Sequence, residues 1–193
     1  MPYALVALFS VPVLAGVASG YALSGRLAGL AALRPRALWL LWVAVAAQIC
    51  QRWSPAGIPM LAIVFALVLV WLMVNLRQRE PVLRVAGAAI ALGVLLNGAA
   101  ILANGRMPYS PTAAAAAGAS TPRETPKNVP AGPDSRLTLL ADVVPVPALR
   151  AVISPGDILI GTGVALAIAG AMRSARRRRS PSEPVEGGEP VEH

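Results

Sequence analysis

Five polar side chains lie in or beside strongly apolar sequence: Asn97, Asn104, Arg106, Asp142 and Asp157. Asn97 and Asn104 are seven residues apart, so a helix would carry them on nearly one face. A polar group in an apolar medium is costly unless it is hydrogen-bonded, and a carboxylate there needs a cation or water as well. The five are therefore expected to gather into one polar cluster, with an Arg106–carboxylate pair as its natural centre. Such a cluster has three uses. It can staple a loop to a helical body, with Asp157 acting simply as the N-cap of the helix that follows it. It can hold a ligand or ion, a lipid headgroup among them. Catalysis is the poorest of the three, because no nucleophile–base pair or metal-ligand set is visible. The only histidine is His193 and the only cysteine is Cys50, so histidine catalysis, intrachain disulfides and cysteine metal clusters fall away. Neither a metal nor a cofactor is expected, and the chain reads as a non-enzyme.

The elements that must position these residues are apolar. Stretches 2–23, 37–52, 58–76, 82–103 and 153–172 are each long enough, or nearly so, to cross a bilayer. About 20 residues of helix rise about 30 Å, the thickness of the hydrocarbon layer. Of the 193 residues, 56% are hydrophobic. The expected fold is an all-α integral membrane protein of about five transmembrane helices with a long, partly ordered outer loop.

Charge placement orients it. The formal charge of +8 is carried mostly by arginines in short connections, which points to membrane topology rather than to nucleic acid. Arg26, Arg34, Arg36, Arg77, Arg79, Arg84 and the run Arg173, Arg176, Arg177, Arg178 and Arg179 fall on one side of a five-span chain. Arg52, Arg106, Arg123, Lys127, Arg136 and Arg150 fall on the other, five of them spread through one long loop that counts weakly. The N-terminus is thus expected outside, the C-terminus in the cytoplasm, and the first helix uncleaved, since no Lys or Arg precedes it. The run beginning at Arg173 adjoins the last apolar stretch and is the candidate contact for anionic lipid headgroups.

Residues 1–103 read as a four-helix transmembrane region and 104–152 as a proline-rich outer loop. Residues 153–173 supply the fifth helix, and 174–193 a basic then acidic, disordered tail. Within the loop, Ser110-Pro111-Thr112 before Ala113 to Ala117 and Gly118 predicts a short capped helix. Residues 119–136 read as a linker. Residues 137–149, LTLLADVVPVPAL, are too short to span and too apolar for a free loop, so an interfacial or re-entrant segment is expected there.

Three elements follow one another: Asn104-Gly105-Arg106-Met107-Pro108, then Asp142-Val143-Val144-Pro145, then Ser154-Pro155-Gly156-Asp157. In these the chain resembles an uncharacterised family of small bacterial multi-pass membrane proteins, a domain of unknown function with N-G-x-M-P, D-x-x-P and S-x-G-D elements. The resemblance implies a bacterial cell membrane and brings no activity, cofactor or catalytic residue. The expected role is to bind a lipid or a membrane-protein partner through the outer polar cluster. The alternative is a small oligomeric transporter or channel subunit, for which midplane polar residues are few.

Overall fold

In the computed structural model, residues 2–50, 57–76, 79–119 and 127–177 are described. All five apolar stretches fold as helices: α1 (Pro2–Ala22), α3 (Trp39–Cys50), α4 (Gly57–Leu76), α5 (Pro81–Asn104) and α7 (Pro155–Arg177), with the one-turn α2 (Ala28–Ala31) after α1 and the short α6 (Pro111–Ala116) after α5. Among the described residues, Pro81–Asn104 and Pro155–Ser174 are long and apolar enough to cross a membrane. The apolar helical stretches Ser10–Ala22, Trp39–Cys50 and Leu61–Leu76 are shorter, so two helices rather than about five meet that length.

The fold is mostly helical but not all-α. Among the described residues, four three-residue strands occur: β1 (Met107–Tyr109), β2 (Asn128–Pro130), β3 (Val144–Val146) and β4 (Ala151–Ile153). Proline explains much of this, because Pro108, Pro130 and Pro145 lack the N–H a helix requires, and each pushes the residue before it toward extended backbone. β1 and β2 run parallel, Met107 opposite Asn128, while β3 and β4 pair antiparallel, Val144 opposite Ile153. The expected linker 119–136 is therefore structured at β2; residues 120–126 lie outside the described residues. The segment 137–149 holds two 3-10 turns, Thr138–Leu140 and Pro147–Leu149, with β3 between them.

Small residues set how closely the helices approach. A Cβ on Gly163 would meet the Ala86 carbonyl at 2.6 Å, one on Gly170 would meet Val82 Cγ1 at 2.9 Å, and one on Gly93 would meet the Gly156 carbonyl. These pairings, 82 with 170 through 93 with 156, make α5 and α7 antiparallel neighbours. On the other side of α7, Gly161 faces Pro12, Gly16 faces Ala165 and Gly20 faces Met172, so α1 runs parallel to it. Backbone contact this close gives dispersion and dipole interactions that large side chains would prevent. α2 closes the far end of α7: the Arg26 amide donates to the Met172 carbonyl at 2.9 Å. α3 packs on α4, and α4 on α5, where Leu76 fills the space over Gly87.

Candidate functional site

Loops 105–110, 127–153 and the start of α7 converge at one end of α5. The Met107 amide donates to the Lys127 carbonyl at 2.9 Å, and the Ala131 amide to the Tyr109 carbonyl at 2.8 Å. On the other edge of β1, the Asp142 amide donates to the Pro108 carbonyl and the Ser110 amide to the Asp142 carbonyl, both at 2.9 Å. Met107, Pro108 and Tyr109 are all buried. Below them, Met107 joins Leu61, Ala100 and Ile101 in an apolar cluster against which Phe65 and Leu140 pack. Leaving the sheet, Ser110 caps α6 as expected by accepting from the Ala113 amide at 3.2 Å, and Gly118 follows with φ +63°.

Among the predicted polar residues, Asn97, Asn104 and Asp142 each hold hydrogen-bond partners of their own. Asn97, seven residues before the end of α5 and only 9% exposed, meets the start of α7. Its Oδ1 accepts from the fully buried Ser154 Oγ at 2.9 Å, and its Nδ2 donates to Asp157 Oδ1 at 2.8 Å. The Ser154 amide donates to Asp157 Oδ2 at 3.0 Å, and the Asp157 amide donates back to Ser154 Oγ at 2.9 Å. This is a capping box. The N-cap is thus Ser154, and Asp157 is the third helical residue rather than the cap expected of it. An Asp there satisfies an amide one turn back while sitting in the positive field of the helix N-terminus. Gly156 is confined to glycine, since a Cβ would collide with the Asn97 amide and the Gly93 carbonyl.

Asn104, the last residue of α5, forms a second group. Its Nδ2 donates to the Ala100 carbonyl and to the Arg136 carbonyl, each at 2.8 Å, and its Oδ1 accepts the Arg136 amide at 2.7 Å. Gly105 then turns the chain away with φ +77°, the left-handed exit glycine adopts most easily. Arg106 is half-buried between that turn and β1.

Asp142 forms the third. Its Oδ2 accepts from Asn128 Nδ2 at 2.9 Å. Burial pushes its carboxyl up from the ordinary 3.8 to about 7, reinforced by the negative charge of Asp157 and opposed by Lys127 and by the Asn128 hydrogen bond. The Asp142 and Asp157 carboxylates therefore feel each other's charge. Asp142 is thereby poised to take up and release a proton near neutrality.

Arg173 is exposed near the other end of α7, and the helix runs on through Arg177; Arg178 and Arg179 lie outside the described residues. Among the described residues no group of three or more His, Cys, Asp or Glu is placed to hold a metal.

Ser154, Asn128 and Arg136 complete these groups and were not anticipated. Ser154 had a signal in the sequence, since Ser-x-x-Asp before an apolar run is the spacing of a capping box. Asn128 and the Arg136 backbone had none, because both lie in polar, proline-rich sequence.

A model of a family of unknown function (DUF5317) matches residues 33–169 of this sequence. The chain belongs to that family. The match runs from ahead of α3 to residue 169 within α7 and takes in every residue of the three groups just described. It agrees with the resemblance to a domain of unknown function. No curated protein matches the sequence, and no solved structure does.

Proposed function

We propose that this chain is a non-enzymatic, multi-pass protein of the bacterial cell membrane that binds a lipid or a partner protein at the loop-covered end of α5. The observation that carries this reading is the sorting of side chains along the helices. Large apolar groups lie exposed on the helix flanks, with Trp42 and Met73 each 73% exposed and Val85, Leu95 and Leu102 open on α5. Hydrogen-bonded polar groups collect at the two ends. A soluble monomer rarely leaves apolar surface of this extent uncovered; a bilayer covers it.

In this reading α1, α3, α4, α5 and α7 all cross. α3 has 12 residues, about 18 Å of helix, and needs flanking residues or local thinning of the bilayer. The parallel course of α1 and α7 suits an odd number of crossings, with the N-terminus outside and the C-terminus cytoplasmic. The run Arg173, Arg176, Arg177, Arg178 and Arg179 is then the proposed contact for the anionic inner leaflet. At the outer end, Asn97, Ser154 and Asp157 satisfy one another and act as a clasp between α5 and α7. Recognition falls to Asp142, whose raised pKa is the kind of perturbation that marks functional sites, and to Arg106, two residues before the Pro108 carbonyl that accepts the Asp142 amide. A transporter or channel role has less support, because both polar atoms of the Asn97 amide are already engaged.

The test is retention of the full chain in membranes after alkaline carbonate washing, followed by its native mass spectrum from mild detergent. A stoichiometric lipid held by the wild type and lost in Arg106→Ala with Asp142→Asn is expected. Release by carbonate would overturn membrane insertion. A ligand-free mass would overturn lipid binding and leave a protein partner as the object of search.

A further inference from the structure

Leu139 is the most exposed large apolar side chain among the described residues, at 84%, and Leu137 beside it is 49% exposed. Neither belongs to a loose loop end. On one side, the Arg136 backbone is gripped through both its N–H and its C=O by the Asn104 amide. On the other, Leu140 turns inward against the apolar cluster of Leu61, Ala100, Ile101 and Met107. Leu137 takes a left-handed conformation, φ +53°, between these two anchors. A non-glycine residue holds that conformation only where its surroundings impose it. The chain is thus held in a shape that turns two leucines outward and keeps a third in.

The depth of this turn follows from α5. Its 24 residues rise about 36 Å against about 30 Å of hydrocarbon, so a centred α5 ends only about 3 Å beyond the apolar layer. Asn104 Nδ2 also donates back to the Ala100 carbonyl, so its amide lies along the last turn of the helix. The Arg136 backbone bound to that amide therefore lies level with the last turn, at the boundary between hydrocarbon and headgroups. At that depth an exposed leucine meets acyl chain, and the exposed Arg136 side chain can reach a headgroup phosphate while its stem stays in apolar surroundings.

Resting on the membrane reading above, we infer that Arg136, Leu137 and Leu139 form an interfacial anchor. The two leucines insert at the acyl boundary of the outer leaflet and Arg136 pairs with an anionic phospholipid headgroup. The occupant is the bilayer surface rather than a protein, because the apolar pair and the cation are offered together at the level where a phospholipid presents the complementary groups.

The experiment uses the full chain with Cys50→Ser, carrying a single cysteine labelled with a polarity-sensitive fluorophore, in vesicles of phosphatidylcholine with or without phosphatidylglycerol. The label is placed in turn at Leu139→Cys, at Met73→Cys on the flank of α4, and at Gly132→Cys, where open space surrounds the backbone. The label at 139 is expected to be quenched by brominated acyl chains and to be several-fold less accessible to iodide than the label at 132. Phosphatidylglycerol should increase its shielding, and Arg136→Gln should abolish that increase. Asn104→Ala should return the label toward the iodide accessibility of position 132. A label at 139 as open to iodide as that at 132, with the Met73 position still quenched by lipid, overturns the anchor and leaves membrane insertion standing. Loss of lipid quenching at the Met73 position overturns both.

Discussion

Asn75 and Asn104 perform the same act at opposite ends of the molecule. Each stands at or next to the end of a long helix and donates Nδ2 to the carbonyl one turn back, Trp71 at 2.9 Å and Ala100 at 2.8 Å. Each then grips both backbone polar groups of a single distant residue. Asn75 accepts the Arg36 amide at 2.8 Å and donates to its carbonyl at 3.0 Å; Asn104 does the same to Arg136 at 2.7 and 2.8 Å. A primary amide is the one neutral side-chain group that can mimic a peptide in this way, offering a donor and an acceptor side by side. The partners are 39 and 32 residues away in sequence, so each grip fixes a loop that local structure alone would leave loose.

What differs is the company each one keeps. Around Asn75 the other polar contacts are simple tethers: Arg79 reaches the Leu33 carbonyl, and Ser174 Oγ donates to Glu80 Oε2 at 3.0 Å. Around Asn104 lie a buried Ser–Asn–Asp clasp and a second, largely buried carboxylate. The same device thus secures both ends, but among the described residues it is the Asn104 end that carries half-buried acid. That makes it the end where ionisation, and with it the recognition proposed above, can be tuned.

The largest effect that sharpens this contrast is expected from Asn97→Leu. It removes the partners of a buried hydroxyl and of a carboxylate together, and should cost about 2–4 kcal/mol. Thermal unfolding in detergent checks it, and a cost no greater than that of Asn75→Ala would dissolve the distinction between the ends. Next comes a pH dependence. Because the Asp142 pKa is raised from 3.8 to about 7, the folded chain keeps between those values a proton that the unfolded chain has released. Its contribution is therefore full below about pH 4 and is lost as pH rises toward 7. Every tenfold gain in proton affinity on folding corresponds to about 1.4 kcal/mol, so the decline should be measurable. Asp142→Asn should flatten it, as followed by unfolding midpoints from acid to neutral pH.

A smaller effect tests the likeness itself. Asn75→Ala and Asn104→Ala each remove three hydrogen bonds at a partly exposed site, and each should cost about 1–2 kcal/mol. Hydrogen exchange should locate the loosening at the Arg36 amide in one and at the Arg136 amide in the other. Exchange unchanged at either amide would mean that the grip there is incidental. Smallest is Ser110→Ala, which removes the cap of α6 and should cost about 1 kcal/mol without changing exchange at either end.

The helices were largely legible. An apolar stretch of 58–76 became Gly57–Leu76, and one of 82–103 became Pro81–Asn104, because a continuous apolar run between polar breaks has few other conformations open to it. The short helix after Ser110 was legible for an equally local reason, since cap, proline and exit glycine all act within one turn of it.

The polar groups were only half legible. That Asn97, Asn104, Asp142 and Asp157 would collect at one end followed from their places at the ends of apolar runs. Which would pair with which did not follow, because the partners lie far apart in sequence: Ser154 is 57 residues from Asn97 and Asp157 is 60. An Arg106–carboxylate centre was the natural expectation from charge alone. Beyond charge, Asp157 accepts from Asn97 and from its own helix start, and Asp142 accepts from Asn128 in a stretch that read as linker. Composition and local spacing determined by themselves where this chain is helical and which residues must avoid apolar surroundings, since both depend on neighbours a turn or two away. Only the tertiary structure decided the partners, the parallel course of α1 and α7, and the backbone groups that Asn75 and Asn104 hold, because a hydrogen bond is directional and goes to whichever group close packing brings within about 3 Å.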